Sequence, residues 1–410
     1  MLPADAGRRR RRPRRLPAEE NGGGRPAPPV AWSAAASHER SEASEGETRL
    51  LTLRSKVTLM GERELTKRDE WAIQCMERQL VVMNDLVDRA GDARAWLALE
   101  RQANSYLRHL GTWLAKDSIF PGARSEMADH KASLEGYARR AGDEVAGVDP
   151  DLLEATRAGL GLRLAVIGKG GAGKTVMSST LARVLARKGR KVFAADLDVN
   201  PGLAISLGMS GDEGGMPAGS IEEHAGSIYG WQLTGDMTPI QVVEKFAATA
   251  PDGVRFLGFG KIGPASEGAG EDKSAAKQSV AALVHLLLGI GEPDWDVIAD
   301  LEAGPTTPFE RYHAFSEHVI VIVGPAWRSA MTARRLLPMV EGRSHTLVSN
   351  RFRDEPDHPG LAARVRIPFD PELAEVERQG LAPVDACPDS PAIVAITRFA
   401  EMFVNQEVPV

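Results

Sequence analysis

The amino-acid sequence predicts an α/β protein: a mostly parallel sheet with helices on both faces, preceded by a small helical module and a disordered N-terminal leader. Three observations support this prediction. From residue 161 onward, short apolar runs rich in valine or isoleucine alternate with helical patterns. Before that, residues 61–145 show helical periodicity alone. The first 60 residues contain few large apolar side chains, so ordering them would bury too little surface to offset the lost entropy.

The leader, residues 1–60, contains the basic run "RRRRRPRR" followed by a stretch rich in Gly, Pro, Ala, Ser and Glu. A signal peptide would need an apolar core after the arginines, and "LPAEENGGG" is not one. Two interpretations stay open. The run is either a tail that binds nucleic acid or another anionic surface, or a solvated leader, which would not even be translated if Met60 were the true start. We favour the second, because charge runs are usually only solvated.

The composition of the whole chain argues against several classes of protein. The chain has 410 residues and a net charge of −6, so no overall basic field favours nucleic acid. Cys75 and Cys387 are its only cysteines, and they form neither a disulfide framework nor a zinc-ligand spacing. No apolar run approaches the roughly 18 residues that span a bilayer. We therefore expect a cytoplasmic protein without a transmembrane segment.

Residues 61–145 are predicted to form a helical module, with a third helix over 123–145 and a linker over 146–160. Its first two helices each carry an apolar stripe at alternating spacings of three and four. The first stripe consists of Ile73, Met76, Leu80, Met83 and Val87, and the second of Leu99, Ala103, Tyr106, Leu110 and Trp113. A hairpin that docks a partner and a small domain packed on its own chain are both possible. We favour the second.

Residues 161–410 are predicted to form one α/β domain. Its predicted strands are "LRLAVIG", "RKVFAAD", "WDVIAD", "EHVIVIVG", "SHTLVSN" and "ARVRIP". Near-continuous apolar runs of this kind suit strands that are covered on both faces. Helical patterns separate most of them, which indicates an open parallel sheet with right-handed crossovers. Ligands of such sheets bind at the carboxyl ends of the strands.

The segment "GKGGAGKT" has the spacing G-x-x-x-x-G-K-[ST] and stands directly between a strand and a helix. Glycines let the backbone wrap closely around phosphate oxygens, towards which free N–H groups and the helix N-terminus then point. The sheet is therefore expected to be that of a P-loop NTPase, with catalytic Lys174 on the β- and γ-phosphates and the Thr175 hydroxyl on Mg²⁺. The predicted nucleotide-binding residues of this segment are Gly168, Lys169, Gly170, Gly171, Ala172, Gly173, Lys174, Thr175 and Val176.

Acidic residues end two of the predicted strands. Asp300 suits a role in holding Mg²⁺ through water, and Asp198 is predicted to orient the attacking water as a catalytic residue. The alternative for such carboxylates is capping of the following helix, which we favour for Asp196.

The base is predicted to be adenine. Asn350 ends a late strand, where its amide can pair with a purine edge, and the alternative is a turn-forming asparagine. The guanine-specific pattern N-K-x-D is not met, because Arg351, Phe352 and Arg353 follow Asn350. ATP and Mg²⁺ are the expected cofactors.

With Lys169 in view, the loop resembles the deviant Walker A motif K-G-G-x-G-K-[ST] of the MinD/ParA-type (SIMIBI) P-loop ATPases. The resemblance covers about residues 162–405 and is nearest to the carbon monoxide dehydrogenase maturation ATPases, through "DLDVNPGLAISLG", "FLGFGKI", "DLEAG" and "IPFDPELAEVERQG". It implies a homodimer that sandwiches ATP, in which Lys169 reaches the partner's phosphates and acts in trans. It also implies that backbone near Pro368 flanks the adenine.

Two stretches depart from the maturation ATPases. Those proteins carry a metal-binding C-x-C pair after G-K-I, where Ala269, Gly270 and Glu271 stand here. Their E-H after D-x-E-A-G is replaced by Thr306 and Thr307. Soft metals select thiolate ligands, which a lone carboxylate does not replace. Nickel handling is therefore not expected, and the helical module also lies outside the family pattern.

Three functional hypotheses follow. The first is an ATPase that dimerises on ATP binding and acts as a conformational switch on a client protein or complex. The second is a ParA- or MinD-like positioning ATPase that binds DNA or membrane in its ATP state. Only the arginine-rich leader favours DNA, and the C-terminal "AIVAITRFAEMF" has one basic residue, Arg398, so core packing is favoured over a membrane anchor. The third, a module that holds ATP without turnover, is disfavoured by the full set of predicted catalytic residues.

Overall fold

The computed structural model describes residues 65–115, 118–198, 202–210, 215–216, 221–223, 231–233, 237–262, 284–302, 304, 312–405 and 407–408. They all belong to one compact unit, Glu64–Val410. The predicted leader, residues 1–60, lies outside the described residues, as do the stretch around Gly270 and the pair Thr306 and Thr307.

The unit is built on a nine-stranded sheet. The strands are β1 (Arg163–Gly168), β2 (Lys191–Leu197), β3 (Gly215–Met216), β6 (Ala248–Thr249), β7 (Arg255–Ile262), β8 (Trp295–Leu301), β9 (His318–Val323), β10 (Ser344–Phe352) and β11 (Val365–Pro368). Their order is β11-β10-β9-β1-β8-β2-β7-β3, with β6 beside β7, and only β6 and β7 pair antiparallel. Strands β4 (Ile221–Glu223) and β5 (Trp231–Leu233) form a separate hairpin. The predicted mostly parallel sheet is confirmed.

Helices cover both faces of the sheet. They are α1 (Lys67–Arg89), α2 (Ala93–Leu114), α3 (Arg124–Glu144), α4 (Pro150–Ala158), α5 (Lys174–Arg187), α6 (Leu203–Leu207), α7 (Pro239–Phe246), α8 (Trp327–Leu336), α9 (Pro371–Arg378), α10 (Pro383–Ala386) and α11 (Pro391–Val404). Alternate residues of β1 enter opposite layers of the core, Ala165 and Ile167 on one side and Leu164 and Val166 on the other. The first layer contains α1–α3, α7 and α8, and the second contains α5, α6 and α9–α11.

The helical module packs on its own chain, against the sheet. Its second predicted stripe, Leu99 to Trp113, is buried throughout. In the first stripe only Met76 and Met83 are fully buried, because the inward face of α1 is centred nearer Trp71 and Leu86. These residues share one apolar cluster with Ile167 and Val297 of the sheet. The segment predicted as a linker, 146–160, contains α4, which Asp149 caps.

Two buried arginines donate hydrogen bonds at the edge where β1 and β8 begin, and one of them, Arg101, joins the module to this edge. The Arg101 guanidinium donates to the Gly161 carbonyl at 2.6 Å, and that of Arg163 donates to the Trp295 and Ile290 carbonyls at 2.7 and 2.6 Å. Burial lowers the pKa of Arg163 to about 9. Buried carbonyls at this edge thereby receive hydrogen bonds from charged donors.

The C-terminal helix α11 is part of the core. Ile393, Ile396, Ala400 and Phe403 are all buried, which confirms the prediction that this face of the helix packs in the core. Among the helices of the described residues, none combines the length and the apolar character that crossing a bilayer demands.

We expect the module to lose stability in mild acid through His130. This side chain is buried on α3, with Nε2 2.7 Å from Gln79 Oε1 and Nδ1 without a partner among the described residues. Burial lowers its pKa to about 4, whereas an unfolded histidine titrates near about 6.5. The unfolded state therefore binds more protons between these values, and stability falls as the pH falls. The expected loss from pH 7.5 to pH 4.5 is about 2–3 kcal/mol.

Urea unfolding of the full chain at the two pH values, followed by circular dichroism, measures this effect. His130→Gln preserves a donor for Gln79 and removes the titrating group, so it should reduce the difference between the two pH values. Some dependence is expected to remain, because burial also lowers the pKa of His285. An equal pH dependence in both proteins would contradict the assignment to His130.

Candidate nucleotide-binding site

The loop between β1 and α5 has a backbone that only glycine accommodates at several positions. Gly171 and Gly173 have φ values of 74° and 95°, in the left-handed region. A Cβ atom on Gly168 would lie 2.7 Å from the Ile322 carbonyl oxygen, and one on Gly173 would lie 2.1 Å from Asn350 Nδ2. The Ala172 N–H donates to the Lys169 carbonyl at 3.0 Å. The predicted loop is thus held closely against β9 and β10.

The two lysines of the loop lie in different surroundings. Lys174 is the first residue of α5 and is 6% exposed. Lys169 is half-buried, and its Nζ lies 3.3 Å from the carbonyl oxygen of the adjacent Gly170. Val176, in the first turn of α5, belongs to the core. The N-terminus of α5 and the ammonium group of Lys174 are thus at the same place, which favours an anion there.

Two predicted metal-binding side chains are in contact. The Thr175 hydroxyl donates to Asp300 Oδ2 at 2.6 Å. The other carboxylate oxygen of Asp300 is buried and has no hydrogen-bond partner among the described residues. The register of β2 and β8 places Asp196 directly opposite Asp300. Burial and the neighbouring Asp196 charge raise the pKa of Asp300, while Lys174 and the Thr175 hydroxyl act in the opposite direction.

These residues fit a magnesium ion that is shared with a nucleotide. Mg²⁺ takes oxygen ligands, and nucleotide sites supply one or two of them from the protein and the rest from phosphates and water. Thr175 and Asp300 provide such oxygens, and one oxygen of Asp300 has no hydrogen-bond donor among the described residues. In the part of the chain that the structure describes, no cluster of three or more histidine, cysteine, aspartate or glutamate residues is arranged to hold a metal by itself.

The two carboxylates at the end of β2 have different surroundings. Asp196 is fully buried and accepts hydrogen bonds from the N–H groups of Gly202 and Leu203, at 3.0 and 2.9 Å, where α6 begins. This matches its interpretation as a cap. Asp198, the residue after β2, is half-buried and its N–H donates to Asp196 Oδ1 at 3.0 Å.

The residues predicted to contact the base lie near the carboxyl ends of the neighbouring strands β10 and β11, and β10 continues two residues past Asn350 to Phe352. Asn350 is buried within β10, and its Nδ2 donates to the Ala172 carbonyl at 2.7 Å. Its amide therefore contacts the phosphate loop, a contact that sequence reasoning did not anticipate. Pro368 ends β11 and is paired with Phe352. The strands thus bring Asn350 and Pro368 to the same edge of the sheet as the loop.

One residue of the site was missed by the sequence analysis. Arg351 donates from Nη1 to the Gly171 carbonyl at 3.1 Å and from Nη2 to Glu377 at 2.6 Å. Glu377 is 26 residues away in the sequence, so no local pattern indicates this contact. The Gly304 N–H likewise donates to the Gly168 carbonyl at 3.1 Å, through backbone atoms alone.

Comparison with known proteins identifies the family. A model described as the CobQ/CobB/MinD/ParA nucleotide binding domain matches residues 164–384, which is more than half of the chain. An uncharacterized ATP-binding protein of Methanocaldococcus jannaschii is 26% identical over 53% of this chain and 90% of its own length. The carbon monoxide dehydrogenase accessory protein CooC of Rhodospirillum rubrum is 24% identical over 55% of this chain and 91% of its own length.

Among solved structures, the septum site-determining protein MinD of Pyrococcus horikoshii, complexed with Mg-ADP, is similar to this chain. It is 17% identical, with a TM-score of 0.44, and the similarity covers 61% of this chain and 100% of that one. The family match extends from the second residue of β1 to α10 and includes the phosphate loop. The chain belongs to the CobQ/CobB/MinD/ParA family of nucleotide-binding domains.

Proposed function

We propose that this protein hydrolyses Mg-ATP in a dimer that sandwiches the nucleotide, and that it thereby acts as a conformational switch on a client protein or complex in the cytoplasm. The observation that carries the proposal is the contact between Thr175 and Asp300, with an unpartnered carboxylate oxygen, beside the first turn of α5. A loop that only held phosphate would not need a buried carboxylate with an unpartnered oxygen beside it.

Each residue has a definite task in this proposal. Lys174 and the N–H groups at the start of α5 bind the β- and γ-phosphates, and Thr175 and Asp300 hold the magnesium ion, which neutralises phosphate charge when bound. Asp198 orients the attacking water. Lys169, half-buried in its own loop, reaches the phosphates of the partner subunit and stabilises charge in the transition state.

Adenine is the proposed base. Asn350 Oδ1 is the side-chain atom that would accept from an adenine amino group while Nδ2 stays on Ala172. Backbone near Pro368 flanks the ring from the adjacent strand.

The client is proposed from the similarity to CooC, whose name describes an accessory protein of an enzyme. On that name we propose that the client is a protein rather than a small molecule. We assign no transition metal to this chain, because the residues at 269–271 are Ala, Gly and Glu.

Turnover measured against protein concentration tests the dimer. If the active site is completed in trans, the activity per molecule should rise with concentration and then level off as the dimer forms. Omission of Mg²⁺ should abolish it. A constant activity per molecule would contradict the ATP-sandwiched dimer. An absence of hydrolysis at every concentration would overturn the proposal that the protein is an ATPase.

Capture from cell extract tests the client against the positioning hypothesis. We expect Asp198→Asn to bind ATP and hydrolyse it slowly, so this variant serves as the bait. Two forms of it are used, the full chain and residues 60–410, and each is tested with and without ATP. ATP-dependent recovery of one enzyme or enzyme complex is the expected result. Recovery of DNA, membrane or polar-scaffold proteins would favour the positioning alternative, and recovery by the full chain alone would assign a role to the arginine-rich leader.

A further inference from the structure

The pairing of β10 with β11 is interrupted at Arg351. Asn350 is paired with Ile367 and Phe352 with Pro368, so Arg351 is an extra residue in β10. It has a φ of 64°, and among the described residues only Asp252 shares this feature outside glycine. A non-glycine residue in the left-handed region is strained, and such strain persists only where surrounding contacts maintain it.

The contacts that maintain it lead to the phosphate loop. The guanidinium of Arg351 bridges the Gly171 carbonyl, at 3.1 Å, and the Glu377 carboxylate of α9, at 2.6 Å. The preceding Asn350 donates to the next carbonyl of the loop, that of Ala172, at 2.7 Å. Two consecutive residues of β10 therefore hold two consecutive carbonyls of the loop.

These bonds fix the orientation of loop peptides. The peptide between Gly171 and Ala172 is held at both ends, its carbonyl by Arg351 and its N–H by the Lys169 carbonyl. In the next peptide, the bond from Asn350 to the Ala172 carbonyl turns the Gly173 N–H to the opposite side, because the two groups of a trans peptide point in opposite directions. Preoriented N–H groups bind phosphate without first having to be ordered.

We propose that Arg351 is a positioning residue that holds the phosphate loop in its binding conformation before the nucleotide arrives, with Glu377 orienting its guanidinium. This inference rests on the proposed binding of ATP. The proposal also explains the bulge. Successive side chains of a regular strand alternate between the two faces of the sheet, whereas the extra residue Arg351 directs its side chain to the loop. Glu377 lies on α9, which directly follows the strand that ends at Pro368. Through Glu377 and Gly171, Arg351 therefore connects the proposed base-binding side of the site to the phosphate loop.

A surface ion pair without this role would behave differently. The side chains of Arg351 and Glu377 are 37% and 31% exposed, so their attraction alone contributes little to folding. Loss of the pair should then leave both stability and nucleotide affinity nearly unchanged. A positioning role instead predicts a loss of affinity that depends on the phosphates of the ligand.

Nucleotide titrations of the full chain by calorimetry test the proposal, with Arg351→Ala compared to the unchanged protein. We expect ATP and ADP to bind about tenfold more weakly, and AMP to be affected less than twofold because it lacks the β-phosphate that the loop holds. The matched control is Arg378→Ala, whose arginine is 73% exposed and pairs with Glu375 in the same helix. It should leave all three affinities unchanged.

Further variants separate positioning from folding. Glu377→Gln should weaken ADP binding less than Arg351→Ala does, and the double variant should be no weaker than Arg351→Ala alone. Arg351→Gly relieves the left-handed strain and should melt at a higher temperature than Arg351→Ala while sharing its ADP defect. ADP affinity within twofold of normal in Arg351→Ala, or an equal loss for AMP, would overturn the proposal. Failure of the unchanged protein to bind ATP would instead overturn the proposed function.

Discussion

Replacement of Lys169 by alanine should slow ATP hydrolysis by about 1,000-fold or more, while the affinity for ATP stays within about threefold of normal. The reason is where the side chain lies. The contact that the structure describes for its Nζ is with the carbonyl of the adjacent Gly170. Lys174, in contrast, is buried where α5 begins. A cationic group that acts in trans contributes to the transition state of the partner's site and little to binding in its own.

Single-turnover hydrolysis and equilibrium titration with ATP measure the two quantities separately. Lys188→Ala is the matched control, since Lys188 pairs with Glu401 at the far end of α5 and should leave both unchanged. Mixing Lys169→Ala with Lys174→Ala should restore some activity, because one partner binds ATP and the other supplies Lys169. Normal hydrolysis in Lys169→Ala would refute the trans role.

Replacement of Asp300 by asparagine should have two opposite effects. Hydrolysis should fall by about 100-fold or more, because the oxygen set for Mg²⁺ loses its charge. The nucleotide-free protein should become about 1 kcal/mol more stable, because a buried carboxylate with an unpartnered oxygen, opposite Asp196, becomes neutral. Sites that bind a cation commonly reduce the stability of the protein without it.

Asp296, on the same strand, gives the contrasting control. It is fully buried but accepts two hydrogen bonds from Arg190, at 2.5 and 2.6 Å, and one from the Leu162 N–H. Asp296→Asn should therefore destabilise the protein by about 3 kcal/mol and preserve hydrolysis below the melting temperature. Denaturant unfolding of both variants measures the difference. Equal destabilisation by the two substitutions would show that Asp300 is structural.

The parts of the fold that sequence predicted are those with a local signal. Six strands formed within two residues of their predicted ends, because near-continuous valine and isoleucine runs indicate strands buried on both faces. Strand β7 is not among the predicted strands, and its glycines at 258 and 260 weaken the strand pattern. The stripes of α1 and α2 indicated buried faces, but no periodicity tells whether a helix is buried by a neighbour helix or by a sheet.

In the candidate site, too, the features with a local sequence signal were predicted and those that depend on long-range contacts were not. The phosphate loop is contiguous, so its spacing alone predicted it. The opposition of Asp196 to Asp300 depends on the register of β2 with β8, and the bond from Arg351 to Gly171 depends on a bulge. Both join residues more than 100 positions apart, and the amino-acid sequence carries no local mark of either.

The shared core of module and sheet has a consequence for synthesis on the ribosome. The helices α1–α3 are made before the sheet, and the strand residues that share their apolar core, such as Ile167 of β1 and Val297 of β8, come later. At about 5–20 residues per second, translation from the end of α2 to the end of β8 takes roughly ten seconds or more. During that interval the sheet that shares a core with Trp71, Trp113 and their neighbours is incomplete. The nascent module is therefore a natural substrate for chaperones that bind exposed aromatic side chains.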